Sequence, residues 1–285
     1  MRIFKGVSEY MNDFQSLLDA LDMEETKQTA TPKASKKIKQ DALDAGMQNI
    51  DTYMDIVFCI DVTQSMQPTI NKVKDFTLSL YDSLVPFMLE KAHREVKEMR
   101  AKVIAFRDFY CDGSCSLIES EFFKLPEQNH SFKKFVTSLQ AKGGGDDPEN
   151  GLEALALAMK TDWVQIKDLS TQRARHVIVL FTDDAAHKFE QSQEGTDQYY
   201  PKNMLKSYEE LIRAWQGQSA LGDNRNEYAM DKRAKRLVVF APDDLYPWNE
   251  MSEDLENAVF LPMEKGGGGI DIANEVIINT IGGTI

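Results

Sequence analysis

Cysteine is scarce in this chain, with 3 in 285 residues. That excludes a disulfide scaffold, which needs several bridges in a short chain. Cys59 sits inside an apolar run and reads as a small core residue. Cys111 and Cys115 flank the turn residues Asp112-Gly113-Ser114 and read as two free thiols, since a zinc site needs four ligands. No segment offers the roughly 20 consecutive apolar residues of a membrane helix. The opening residues lack the apolar core of a secretory signal, so the expected compartment is the cytoplasm, with no membrane contact. Positive charge is also in deficit: 33 Lys and Arg face 46 Asp and Glu, a net charge of −13. Phosphate binding needs a basic surface, so nucleic acid is not an expected partner. The short run Lys232-Arg233-Ala234-Lys235-Arg236 reads as a solvated lead-in to a strand. Neither a P-loop nor a G-x-G-x-x-G fingerprint occurs.

What is present is an ordinary apolar fraction, 42%, arranged as alternating strand and helix patterns. Residues 1–50 form an extension: apolar residues three and four apart over 1–22 predict an amphipathic helix, a polar tract follows, and a second short helix is expected near 36–45. From residue 51 to 285 the order reads as one α/β domain. Strands are expected at 54–60, 102–106, 176–181, 237–240 and 258–261. Residues 116–118 and 121–123 read as a hairpin edge. Helices are expected at about 68–91, 131–140, 149–161, 203–216 and 270–281. Continuous apolar strands separated by helices imply a mainly parallel sheet covered on both faces, a Rossmann-like arrangement.

Three acidic turns stand out in this pattern. The apolar run Ile56-Val57-Phe58-Cys59-Ile60 ends in Asp61-Val62-Thr63-Gln64-Ser65. Gly143-Gly144-Gly145 runs into Asp146-Asp147, and Val177-Ile178-Val179-Leu180-Phe181 runs into Thr182-Asp183-Asp184. In an open α/β sheet, ligands lie beyond the carboxyl ends of the strands. Carboxylates brought within about 4 Å there repel by about 4 kcal/mol at an effective dielectric of 20. A hard divalent cation removes the conflict, and the hydroxyls of Thr63 and Ser65 add neutral oxygens that suit Mg²⁺ or Mn²⁺.

These motifs resemble the metal-ion-dependent adhesion site of the von Willebrand factor A (vWA) domain: D-x-[ST]-x-S, a Gly-rich turn, then [ST]-D. The match is nearest to the intracellular branch of that family, through Arg107-Asp108, the stretch from Gly143 to Glu149, and the stretch from Thr182 to His187. The resemblance covers about residues 52–285. It implies a metal site of Asp61, Thr63, Ser65, Asp146 and Asp183, holding Mg²⁺ or Mn²⁺ with one position open to an acidic side chain of a partner. Members of this branch occur attached to α-kinases and in bacterial stress and defence gene clusters, beside kinases and phosphatases. The resemblance therefore implies a non-enzymatic, metal-dependent protein-interaction module, a regulatory or adaptor subunit whose partner is a protein such as a kinase or phosphatase.

Arg107, Asp108, Asp147, Asp184 and His187 are candidates to brace the site, and Tyr199 and Tyr200 to contact a partner or pack on their own domain. The alternative is a haloacid-dehalogenase-like phosphotransferase with Asp61 as nucleophile. That reading expects an Asp where Thr63 stands and leaves Ser65 unexplained.

Overall fold

The computed structural model describes residues 50–90, 95–145, 147–193, 198–217, 230–231 and 233–264, with positions 278 and 281. These lie in the compact unit Met47–Ile285. The helices expected within residues 1–49 fall outside the described residues, as does the helix expected at 270–281 apart from Ile278 and Ile281, which have helical backbone.

The described strands are β1 (Asp51–Asp61), β2 (Val96–Phe106), β3 (Leu117–Glu119), β4 (Phe123–Leu125), β5 (Gln172–Phe181), β6 (Lys235–Ala241) and β7 (Ala258–Pro262). They form one sheet in the order β3-β2-β1-β5-β6-β7, with β4 also paired to β2. Every pair among β2, β1, β5, β6 and β7 is parallel. The fold is thus mixed α/β around a largely parallel sheet.

Central β1 is flanked by β2 on one side and β5 on the other, so the chain leaves its carboxyl end where the strand order changes direction. Ligand sites in open α/β sheets form at that crevice. Because side chains alternate along a strand, β1 supplies both cores. Met54, Ile56, Phe58 and Ile60 pack beneath α1 (Ile70–Glu90) and α2 (Asn129–Ser138). Val57 and Cys59 pack with α3 (Gly151–Lys160), α5 (Tyr208–Trp215) and α6 (Trp248–Asp254) on the other face. A short α4 (Phe189–Gln193) lies in the excursion after β5.

Several elements differ from the sequence expectation. β3 and β4 do not pair with each other; both run antiparallel along β2 as successive pieces of one edge. Ser120 joins them, its N–H donating to Val103 O and its hydroxyl accepting from Val103 N. β2 begins six residues earlier than the apolar run suggests, because the buried Met99 and Ala101 are interspersed with Lys97, Glu98 and Arg100, which break up the apolar run. The helix at 203–216 starts only at Tyr208, where Ser207 Oγ accepts from Glu210 N and Glu210 Oε2 accepts from Lys206 N, two bonds that fix its first turn. On α1 the buried stripe ends at Met88, four residues after Leu84, and Phe87 is only half-buried. The basic run before β6 is a solvated lead-in only in part: Arg233 is exposed, and Lys232 lies outside the described residues. Lys235 and Arg236 are the first residues of β6 and are buried, Lys235 donating to Trp215 O and lying 5.0 Å from the Trp215 ring centroid.

In the middle of β1, Asp55 faces Arg100 directly across the β1–β2 register. Arg100 grips both carboxylate oxygens, at 2.8 and 2.6 Å, while Asp55 Oδ2 also accepts from Val164 N. Asp55 is 1% exposed, so truncating it takes the acceptor from a part-buried guanidinium and from the Val164 N–H. We expect Asp55→Ala to lower the unfolding free energy by about 3 kcal/mol, read from denaturant titration. A change below about 1 kcal/mol would mark the pair as solvent-screened.

Candidate functional site

The carboxyl ends of β1 and β5 place Asp61 and Thr182 at the same sheet edge. Asp61, fully buried, is held by three donors. Its Oδ1 accepts from Thr63 N at 2.9 Å and from Thr63 Oγ1 at 2.7 Å, and its Oδ2 accepts from Thr182 Oγ1 at 2.7 Å. Ser65 Oγ donates to Asp183 Oδ1 at 2.7 Å and stands 3.0 Å from Thr63 Oγ1. Residues 61, 63, 65, 182 and 183 therefore form one continuous string.

The direction of these protons matters. Each hydroxyl has one hydrogen, and each has a carboxylate oxygen at 2.7 Å to receive it. With both protons so directed, Thr63 Oγ1 and Ser65 Oγ face one another with lone pairs only. Asp183 Oδ2 is buried with no hydrogen-bond partner among the described residues. Two confronted hydroxyl oxygens and an orphaned carboxylate oxygen are a donor set that suits a hard cation. Among the described residues no three Asp, Glu, His or Cys side chains converge closely enough to hold an ion by themselves. Asp146 lies outside the described residues.

The second loop docks onto the first through its backbone: Gln64 N donates to Gly143 O and Lys142 N to Val62 O. Gly143 and Gly144 have φ of +77° and +70°, which L side chains rarely adopt. A Cβ on Gly144 would meet Glu149 Oε1 at 2.7 Å and Thr63 Cβ at 3.0 Å. Asp112 Oδ2 accepts from Gly144 N at 2.9 Å and ties this loop to the turn after β2.

Arg107 is buried and makes no ion pair with Asp108. Its guanidinium donates to Val62 O, Cys115 O and Gln140 O, three carbonyls from three loops. Asp108, also buried, accepts from Tyr110 N and lies 3.7 Å from His187 Nε2. His187 packs its ring against Tyr110 and its N–H donates to Glu149 O. Asp184 is buried and closes its own turn by accepting from Ala185 N. Asp147 is exposed. The two tyrosines part company: Tyr200 packs on Phe109 and donates to Glu153, whereas Tyr199 is 45% exposed beside Gly113. Cys115 is an exposed free thiol, Cys59 is a buried one, and Cys111 is exposed.

Thr182, Asp112 and Glu149 were absent from the candidate set. Thr182 was the easiest to find, as the residue between an apolar strand and Asp183. Asp112 was hidden as an ordinary turn former. Glu149 stands at the end of the Gly-rich stretch, 4% exposed, with Oε2 lacking a hydrogen-bond partner among the described residues.

Burial pushes the Asp61 carboxyl up to about 7, against the pull of the Thr63 and Thr182 hydrogen bonds and with a further push from Asp183. Burial likewise lifts Glu149 to about 10, aided by the negative charge of Asp61, Asp108, Asp184 and Asp112. Both groups hold more protons folded than unfolded from about pH 4 upward. Their contribution is therefore complete at low pH and is lost as pH rises through about 7 for Asp61 and toward about 10 for Glu149. Thermal melts in chelator should show Tm falling from about pH 5.5 to about pH 8; a rising Tm would contradict the burial of these carboxyls. Arg107→Met keeps an unbranched apolar stem and removes the donors. It should cost at least about 2 kcal/mol by leaving buried carbonyls unpaired, and an unchanged denaturation midpoint would refute the brace.

A search of curated proteins finds no match. Among solved structures similar to this chain is one described as von Willebrand factor type A from Catenulispora acidiphila, at 15% identity and a TM-score of 0.42, over 81% of this chain and 43% of that one. The chain thus spans less than half the length of that structure. Residues 56–186 match the family model of the von Willebrand factor type A domain. That segment runs from β1 through the loop after β5, and the match supports a von Willebrand factor type A domain in this part of the chain.

Proposed function

We propose that this chain is a non-enzymatic, divalent-cation-dependent protein-interaction module. The observation that carries the reading is the Thr63–Ser65 pair, whose protons point to Asp61 and Asp183 and whose lone pairs face a common point. Thr63 and Ser65 would hold Mg²⁺ or Mn²⁺, with Asp61 and Asp183 balancing its charge and Asp146 supplied by the second loop. The ion supplies a positive centre at the sheet edge, able to accept an acidic side chain from a partner. Von Willebrand factor type A domains commonly mediate protein–protein interactions, and the match over residues 56–186 extends that expectation here.

The geometry favours binding over nucleophilic catalysis. Asp61 is fully buried and both of its oxygens are engaged by hydroxyl and amide donors, an arrangement that lowers its nucleophilicity. The partner class is a protein of an intracellular complex, with a kinase or phosphatase as the first candidate and a regulatory or adaptor role in stress, signalling or defence. The extra carboxylates of the second loop suit an ion that also holds the three loops in register, leaving part of partner recognition to the surrounding rim. No described helix is long and apolar enough to cross a membrane.

Isothermal titration of the chelated full chain with Mg²⁺ and Mn²⁺ tests the reading. Wild type should take up one ion. Ser65→Ala and Asp61→Ala should each weaken that uptake at least tenfold while keeping the far-ultraviolet spectrum. A wild type that binds neither ion overturns the proposal, as does turnover of a phosphate ester that disappears in Asp61→Asn.

A further inference from the structure

Glu149 is a buried acid at this edge to which the proposed ion site gives no role. Its backbone cannot drift. Glu149 N donates to Ala185 O at 3.0 Å and Glu149 O accepts from His187 N at 2.8 Å, forming a parallel bridge opposite Ala186. The residue is thereby pinned to the loop carrying Asp183. Its side chain reaches to Gly144, the glycine that also lies on Thr63. The same missing Cβ on Gly144 that would touch Thr63 would touch Glu149 Oε1. The glycine leaves room for a carboxyl group to sit beside the first loop.

The surroundings of that carboxyl are unusual for a structural residue. It is 4% exposed, and Oε2 has no hydrogen-bond partner among the described residues. Its charged neighbours are Asp61, Asp108, Asp184 and Asp112, all acidic. The nearby guanidinium of Arg107 is directed to the carbonyls of Val62, Cys115 and Gln140. The imidazole of His187 approaches Asp108. A Gln or a Leu would fill this volume without electrostatic conflict. A carboxyl here opposes the metal-free fold and is favourable once positive charge is added beside Thr63.

We propose that Glu149 is a positioning residue of the cation site, contributing a carboxylate that adds to the charge balance set by Asp61 and Asp183 and so sets the affinity for the ion. The inference rests on the interaction-module reading above. Glu149 acts through the electrostatic field of the site, and the direct donors remain the hydroxyls of Thr63 and Ser65. The bridge to Ala186 keeps its carboxyl at a fixed distance from them.

Glu149→Gln separates this role from a packing role, because the two side chains have nearly the same shape. The full chain, stripped with chelator, would be titrated with Mn²⁺ by calorimetry, and its metal-free Tm recorded. We expect the Mn²⁺ dissociation constant to rise at least tenfold and the metal-free Tm to rise by several degrees. Opposite signs for affinity and stability are the signature, since a structural residue lowers both. Glu149→Asp, which restores the charge on a shorter arm, should bind Mn²⁺ more tightly than Glu149→Gln. An affinity within twofold of wild type for Glu149→Gln overturns the proposal, as do a lowered metal-free Tm, a Gln variant that fails to fold, or an Asp variant no better than Gln. Wild type that takes up no Mn²⁺ overturns the interaction-module reading together with this one. Wild-type uptake that Glu149→Gln leaves intact overturns this one alone.

Discussion

Mutual repulsion of carboxyl groups brought to one end of β1 and β5 is the constraint around which this edge of the sheet is arranged. Asp61 and Glu149 are both forced toward the protonated state by burial and by acidic neighbours. Such an arrangement is unfavourable by itself. It persists because the scaffold over-determines it. Three backbone carbonyls are locked by Arg107, two positive-φ glycines let the second loop close on the first, and the Glu149–Ala186 bridge fixes the third. The hydroxyls of Thr63, Ser65 and Thr182 ease the conflict in part, and each points its proton at a carboxylate.

The sheet order makes this crowding possible. Asp61 and Thr182 are 121 positions apart in the chain, yet their strands are immediate neighbours. The parallel register brings their ends level, as Ile60 pairs with Phe181. β1 is apolar on both faces because both faces are covered, and the first polar residue after that run is Asp61. Hydrophobic burial therefore determines where the acid emerges, and the turn after it determines which atoms meet.

Most of this was legible in the residues. The strand ending in Asp61, Thr63 and Ser65 announces itself by an abrupt switch from apolar to oxygen-bearing side chains, and Val177–Phe181 followed by Thr182-Asp183 repeats the switch. The long helix after β1 shows its stripe plainly. Elements stabilised by specific polar pairing were less visible. The first half of β2 reads as charged surface because its side chains answer partners elsewhere, such as Asp55 for Arg100. α6 is seven residues long and leaves no periodic trace. Lys235 looked like surface charge since nothing local reveals that the carbonyl and ring of Trp215 await it. Glu149 was visible as the last residue of the Gly-rich stretch, but its environment was not, because the loop carrying Ala185–His187 creates it.

The brace made by Arg107 has one more consequence. Its three bonds end on main-chain oxygens at Val62, Cys115 and Gln140, so it reads the path of the loops and ignores their side chains. Solvent-facing identities on those loops can be exchanged while the frame around the acidic cleft stays in place. One arginine thus uncouples the shape of this edge from its surface chemistry, which leaves the rim free to diverge toward new binding preferences on an unchanged foundation.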